Sequence, residues 1–235
     1  VARPLLKGLG MRPTLLWQHL LNALVPALVL IAGHRPCVQL LAAVFLFFAL
    51  FSLMHDAMHG ALRLPRDWNE ALLSLSAVTV GVSGHATRWL HMRHHADPFG
   101  PDDAEGLPLG TPWARALWNA PLQYLRLPAL GWRRAPKATR RWQRLEWTAV
   151  VLAAMTLGAG SSAGRAYLTV VVLAQLTIPI WAARLPHQAH PLLHKLLLRL
   201  VWTRSPLVLG FVFHERHHAH PRRSLYALSE AVAQA

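Results

Sequence analysis

Cysteine is almost absent. Cys37 stands alone among 235 residues, which excludes a disulfide framework, a CxxC redox centre and a thiolate-held zinc or iron–sulfur site. Charge is scarce too, at 14% of residues, and acidic charge scarcest, with 10 Asp and Glu against 24 Lys and Arg. Soluble domains carry nearer a quarter charged residues, and a disordered chain is far less apolar than 54%. The glycine fingerprint of a dinucleotide site, a haem-attaching CxxCH, internal repeats and low-complexity tracts are all missing. One domain over residues 1–235 is the expected organisation.

What the chain does contain is long uncharged runs. Residues 14–33 carry no ionisable side chain except His19, and 38–54, 147–164 and 166–183 carry no acidic or basic one. At about 1.5 Å per residue, each run as a helix approaches the roughly 30 Å hydrocarbon core of a bilayer. The expectation is an all-α integral membrane protein with four transmembrane helices in two hairpins. A shorter apolar stretch, 71–84, is expected at the interface or re-entering from one side. Lys7 and Arg12 precede the first run as in a signal-peptide n-region, but no small-residue cleavage site follows, so that run is expected to be retained.

Two hairpins put the linkers 34–37 and 164–165 on one side of the membrane, and the termini with segment 55–146 on the other. The first side holds two basic residues, Arg35 and Arg165, and the second holds the other 22. Positive-inside bias then places both termini and the large segment in the cytoplasm, with the cell (inner) membrane as the host. A net charge of +14 distributed between uncharged runs in this way describes membrane flanks rather than a nucleic-acid-binding face. Trp17, Trp147 and Trp181 fall at run ends, where indoles favour the interface.

Fifteen histidines remain, and eight of them are ordered by spacing. His55 and His59 form HxxxH at the end of the second run; His91, His94 and His95 form HxxHH; His214, His217 and His218 form a second HxxHH. On a helix, positions i and i+4 lie about 40° apart, so each box aims imidazoles along one face. All three boxes fall in segments assigned to the cytoplasm without reference to histidine, so they are expected to converge in a helical cap at the membrane surface. Eight imidazoles exceed what one ion uses and point to two metals. Imidazole suits zinc, copper, nickel and iron alike. A soluble carboxylate-bridged di-iron bundle is disfavoured, because only Glu215 and His218 have its Glu-x-x-His spacing. A histidine-rich di-iron centre beside a membrane is the coherent alternative.

The three boxes in this order, with paired hydrophobic hairpins between them, resemble the membrane fatty acid desaturase family, whose relatives include carotenoid ketolases and hydroxylases. The resemblance runs from about residue 38 to residue 228 and includes a Pro-containing tail, Pro221 to Leu228. It implies two iron ions, dioxygen as co-substrate, a lipid or fatty acyl substrate, and electrons from an external donor such as ferredoxin or a cytochrome with its reductase. It implies as ligands His55, His59, His91, His94, His95, His214, His217 and His218, with one of His187 and His190 as an additional ligand. Fatty acyl desaturation is the first expectation. The pattern His55-Asp-Ala-Met-His59-Gly looks like carotenoid ketolases, whereas the second box looks closer to acyl desaturases. A histidine-rich metal transporter is the competing class; it should carry ionisable ligands midway through its spans.

The remaining candidates have plainer readings. Asp56 is expected to accept a ring N–H from a ligating histidine. His85 and His220 are neighbouring candidates, while His19, His34 and His194 are read as structural or interfacial. Asp97, Asp102, Asp103 and Glu105 sit in a Pro/Gly-rich stretch and are expected to solvate a loop. The cluster from Arg133 to Arg144 reads as a positive flank, or as a dock for an acidic electron carrier or anionic headgroups. Met54, Met58 and Met92 read as packing.

Overall fold

The computed structural model describes residues 13–188 and 190–233; Lys7 and Arg12 lie outside the described residues. Every regular element among them is helical. Helix α1 (Pro13–Ala32) and helix α2 (Pro36–Met58) form the first hairpin, with Pro36 in the first turn of α2, where its missing N–H is no loss. Both are long and apolar enough to cross a bilayer. Leu21, Leu24, Val25, Leu28 and Ile31 of α1 are exposed, an apolar face suited to lipid. Helix α2 is the hub: Ala43, Phe47, Met54 and Ala57 pack against Leu73, Ala77 and Val80 on one side and Tyr167, Val170 and Val171 on the other.

Helix α3 (Arg66–Thr79) covers most of the short apolar stretch and is fastened to the end of α2 by Asn69, whose side-chain amide donates to the Ala57 carbonyl. The chain turns at Gly81, where φ is +84° and an added Cβ would stand 2.7 Å from Val171. The carbonyls at this turn find side-chain donors: Tyr167 bonds Thr79, Gln175 bonds Val80 and Tyr124 bonds Gly81. Ser83 then caps helix α4 (Gly84–Ala96), its hydroxyl accepting from the Ala86 N–H. After a loop and a 3₁₀ turn (Leu107–Gly110), helix α5 (Trp113–Arg134) presents exposed Leu117, Trp118, Leu125 and Trp132, an apolar and indole-rich face of the kind that lies along a membrane surface.

Helices α6 (Lys137–Ala159) and α7 (Ser162–Leu176) form the second hairpin, turned at Gly160 and capped by Ser161. Here the expected spans shift. The run 147–164 is cut when α6 stops at Ala159, and its N-terminal half is the arginine-rich segment, so α6 is not apolar enough over its length to count as a crossing. The run 166–183 breaks after Leu176: Pro179 brings no N–H, and the axis turns by 62° into a continuation made of a π-helical segment (Pro179–Arg184) and the short helix α8 (Leu185–Gln188). The described residues thus hold two candidate spans, or three if the bent pair counts as one. Trp181 at this bend is not an interface anchor: it packs edge-on against Phe47, Phe48 and Phe51 and donates its indole N–H to Ala174. Gln39, just past the first hairpin turn, bonds both the Gly33 carbonyl and the Ser162 hydroxyl, which puts the two hairpin turns at one end of the molecule. Helix α9 (Pro191–Leu198), a 3₁₀ turn (Val201–Thr203) and helices α10 (Pro206–Val212), α11 (His214–Ala219) and α12 (Leu225–Ala233) complete the fold.

Candidate metal centre

The last turn of α2, the second half of α4, the short helix α8 and α11 meet at one place. His55, His59, His91, His95 and His217 bring ring nitrogens within 4.8 Å of one another, and His94, His187 and His218 form a second such set. His214 joins the second set, 2.8 Å from His187 and 3.2 Å from His218 between Nε2 atoms. The two HxxHH boxes are divided in complementary ways. In α4 the i, i+4 pair His91 and His95 goes to the first set and His94 to the second; in α11 the pair His214 and His218 goes to the second set and His217 to the first. The helix angle explains this, since i+3 lies about 100° from i+4 and must look away from the pair.

The donor set fits metal ions. His91 Nδ1 lies 2.8 Å from Glu105 and His94 Nδ1 2.8 Å from Asp103, so each ring points Nε2 inward. Yet His91 Nε2 lies 3.1 Å from the Nε2 atoms of both His59 and His95, and His95 Nε2 lies 3.1 Å from that of His217. A neutral imidazole has one N–H, and His91 places it on Glu105, so unshared pairs converge here with too few protons between them. Nitrogens about 2.1 Å from a common ion stand about 3.0 Å apart when their bonds are at right angles, close to the spacing present. Protonation state agrees. Burial, aided by the surrounding imidazoles, lowers His95 to about 4 and His218 to about 3, and pushes His59, His91, His187, His214 and His217 down as well. Rings that stay neutral keep a lone pair for a metal.

Four other candidates stand outside the two sets. His190 joins neither set; it is exposed and its Nδ1 accepts the Leu192 N–H as the cap of α9, because Pro191 starts a new helix directly after it. Asp56 lies between His19 and the first box: its Oδ2 is 2.9 Å from Nε2 of the fully buried His19, and its Oδ1 is 3.9 Å from His55 Nδ1. His85 joins neither set; it lies between Glu70 and Glu146. His220, the other neighbouring candidate, joins neither set and caps α11.

Asp103 and Glu105 are the site residues that loop composition concealed. Asp103 is 4% exposed and receives the N–H groups of Phe99, Glu105 and Gly106 besides the His94 ring. Burial alone would raise its pKa; the His94 ring and these amides hold it below the usual carboxylate range. Glu105, by contrast, is raised to about 7 by burial. Arg184 ties the second set to this loop by donating to the Pro108 and Thr111 carbonyls while stacking on Trp113.

Beside the histidines opens a cavity of about 160 Å³. His55, His91, His214 and His217 form one wall, and Phe51, Met54, Met58, Leu90, Trp181 and Phe211 make most of the rest apolar. The family described as fatty acid desaturase has a model that matches residues 32–234. No curated protein and no solved structure matches the chain.

Proposed function

The chain belongs to the fatty acid desaturase family, and from that premise we propose that it is a membrane-embedded di-iron oxidase that attacks a C–H bond of a lipid chain, with fatty acyl desaturation as its reaction. The observation that carries this reading is the pair of imidazole sets opening onto an apolar cavity. His55, His59, His91, His95 and His217 would hold one iron, and His94, His187, His214 and His218 the other. Bound there, the pair would supply the dioxygen activation that a methylene requires. The protein's own part is positional. Glu105 and Asp103 fix the tautomer and direction of His91 and His94. Phe51, Leu90 and Trp181 line a slot that admits a hydrocarbon chain and excludes water from the reacting carbon.

The same reading takes the apolar part of α6 from Trp147, with α7 and its bent continuation, as the second membrane hairpin, making four crossings in one domain. The juxtaposed hairpin turns support it. Basic residues concentrated away from those turns support a cytoplasmic position for both termini and the histidine cap in the cell membrane. Electrons come from an external donor such as ferredoxin or a cytochrome with its reductase.

One specific feature favours a second reading, carotenoid ketolation or hydroxylation: the first box, His55 to Gly60, looks much like that of carotenoid ketolases. A single experiment separates the two. The chain is expressed in a host that makes fatty acids and carotenoids, and total lipids are analysed by mass spectrometry beside a His94→Ala control. Acyl chains lighter by two hydrogens, absent in the control, are expected. Added oxygen on carotenoids replaces desaturation with the second reading, and unchanged lipids with altered zinc uptake replace both with metal transport.

A further inference from the structure

His85 lies outside the histidine sets, 5% exposed, with its flat face stacked on Trp142 at 4.4 Å between ring centres. Its Nε2 is 2.8 Å from Glu70 Oε2 and its Nδ1 is 2.7 Å from Glu146 Oε1. Burial alone would raise both glutamates. Against it, Arg88 and the His85 ring hold Glu70 below the usual range, and the His85 ring with the Ser74 and Ser83 hydroxyls does the same for Glu146. The ring thus joins the two carboxylates through both of its nitrogens, Glu70 on one side and Glu146 on the other. A brace between helices needs no such chain of exchangeable protons, and this chain has two ends. The Glu70 side chain at one end is 24% exposed. At the other, the Ser83 hydroxyl is 2.6 Å from Glu146 Oε2, and Ser83 lines the cavity. From there Ser83, Thr87 and His91 follow one another at i, i+4 and i+8 along α4, all on the cavity wall together with Glu105. Each such step rises about 6 Å along the helix axis, more than one bridging water spans, so a short file of waters along the cavity wall would link them.

We propose that Glu70, His85, Glu146, Ser83 and Thr87 form a proton route from the surface into the reaction cavity. The inference rests on the oxidase reading above. Dioxygen reduced to two waters takes up four electrons and four protons. Converting a CH2–CH2 unit to an alkene gives two of each, and the external donor gives the other two electrons, so two protons must come from solvent. Hydroxylation has the same demand: one oxygen atom enters the C–H bond, and the other leaves as water with two solvent protons. The cavity is otherwise walled largely by apolar side chains, and this chain of donors and acceptors supplies those protons.

The test uses the full chain in detergent with a reducing system. Ring-¹⁵N NMR of the wild type should show both His85 nitrogens in hydrogen bonds, and Glu146→Gln should shift the Nδ1 signal. Thr87→Val should keep iron content and melting temperature, and His85→Gln should keep iron content at a temperature below its lowered melting point, yet both should lose turnover on the order of tenfold, with the loss growing as pH rises. Their solvent deuterium isotope effect should exceed that of wild type. Ser83→Ala should do the same, and Ser83→Thr, which restores hydroxyl and cap, should recover it. His85 nitrogen signals that Glu146→Gln leaves unmoved, or variants matching wild type in pH profile and isotope effect, overturn the route alone. A wild-type chain that loads iron and consumes reductant but oxidises no lipid overturns the oxidase reading and the route with it.

Discussion

Asp103 receives four hydrogen bonds on two oxygens, from three backbone amides and the His94 ring, so its position and charge are both fixed by the loop around it. An amide cannot replace it, since one of the two atoms would become a donor facing donors. Asp103→Asn is therefore expected to release the His94 ring and weaken metal at the second histidine set by about 10–100-fold. Dialysis against dilute iron should leave the variant with close to one iron per chain where the wild type keeps two. Equal retention by both would remove Asp103 from the site. The box histidines are legible in the sequence because their spacing is local, set by one helical turn. Asp103 and Glu105 reach their partners across 9 and 14 residues, through a loop in which Phe99 takes a positive φ of 68°. Nothing in a stretch rich in Pro, Gly and Asp distinguishes such a fold-back from a solvated loop, because the same residues serve both.

At the scale of elements, α3, α4 and α6 are joined by Glu70, His85 and Glu146, and this junction holds the N-terminal end of the helix that carries the second box. Both glutamates have folded pKa values below the ordinary 4.5. A carboxylate depressed on folding contributes stability that is complete above its unfolded pKa and is lost as pH falls through the folded one. Stability of the metal-free chain should fall as pH drops below about 6.5, where the unfolded histidines bind protons that the buried, lowered rings do not, and fall further below about 4.5 as these glutamates take up protons. Thermal melts across pH 3–7 check this, and Glu146→Gln should lower stability at neutral pH while flattening the acid limb below about pH 4.5. An acid limb unchanged in the variant would place the loss elsewhere. The junction was not legible from the sequence, since its three members are 15 and 61 residues apart with no shared spacing. Helix existence was legible from the uncharged runs. The break at Pro179 was not, because apolar composition continues through it and hydropathy alone does not distinguish a straight span from a bent one.

For the whole molecule, sidedness decides whether the histidine cap meets a soluble reductant, and the chain carries its own reporter. Cys37 is its one cysteine, it is exposed, and it stands in the first turn of α2, next to the first hairpin turn. The boxes gather beyond the opposite end of α2, about 20 residues away, which at 1.5 Å per residue is about the thickness of a bilayer core. Gln39 and Ser162 bind the second hairpin turn beside it, so one reagent reports on both hairpins. With the cap in the cytoplasm, an impermeant maleimide added to intact cells should label Cys37, provided it can cross any outer envelope. A Cys37→Ser chain carrying a new cysteine at the exposed Arg134 should stay unlabelled until the cells are opened. The reverse pattern would turn the protein over, away from cytoplasmic electron carriers. Labelling of both positions from outside would put Cys37 and the cap on one side of the bilayer and deny that α2 crosses it.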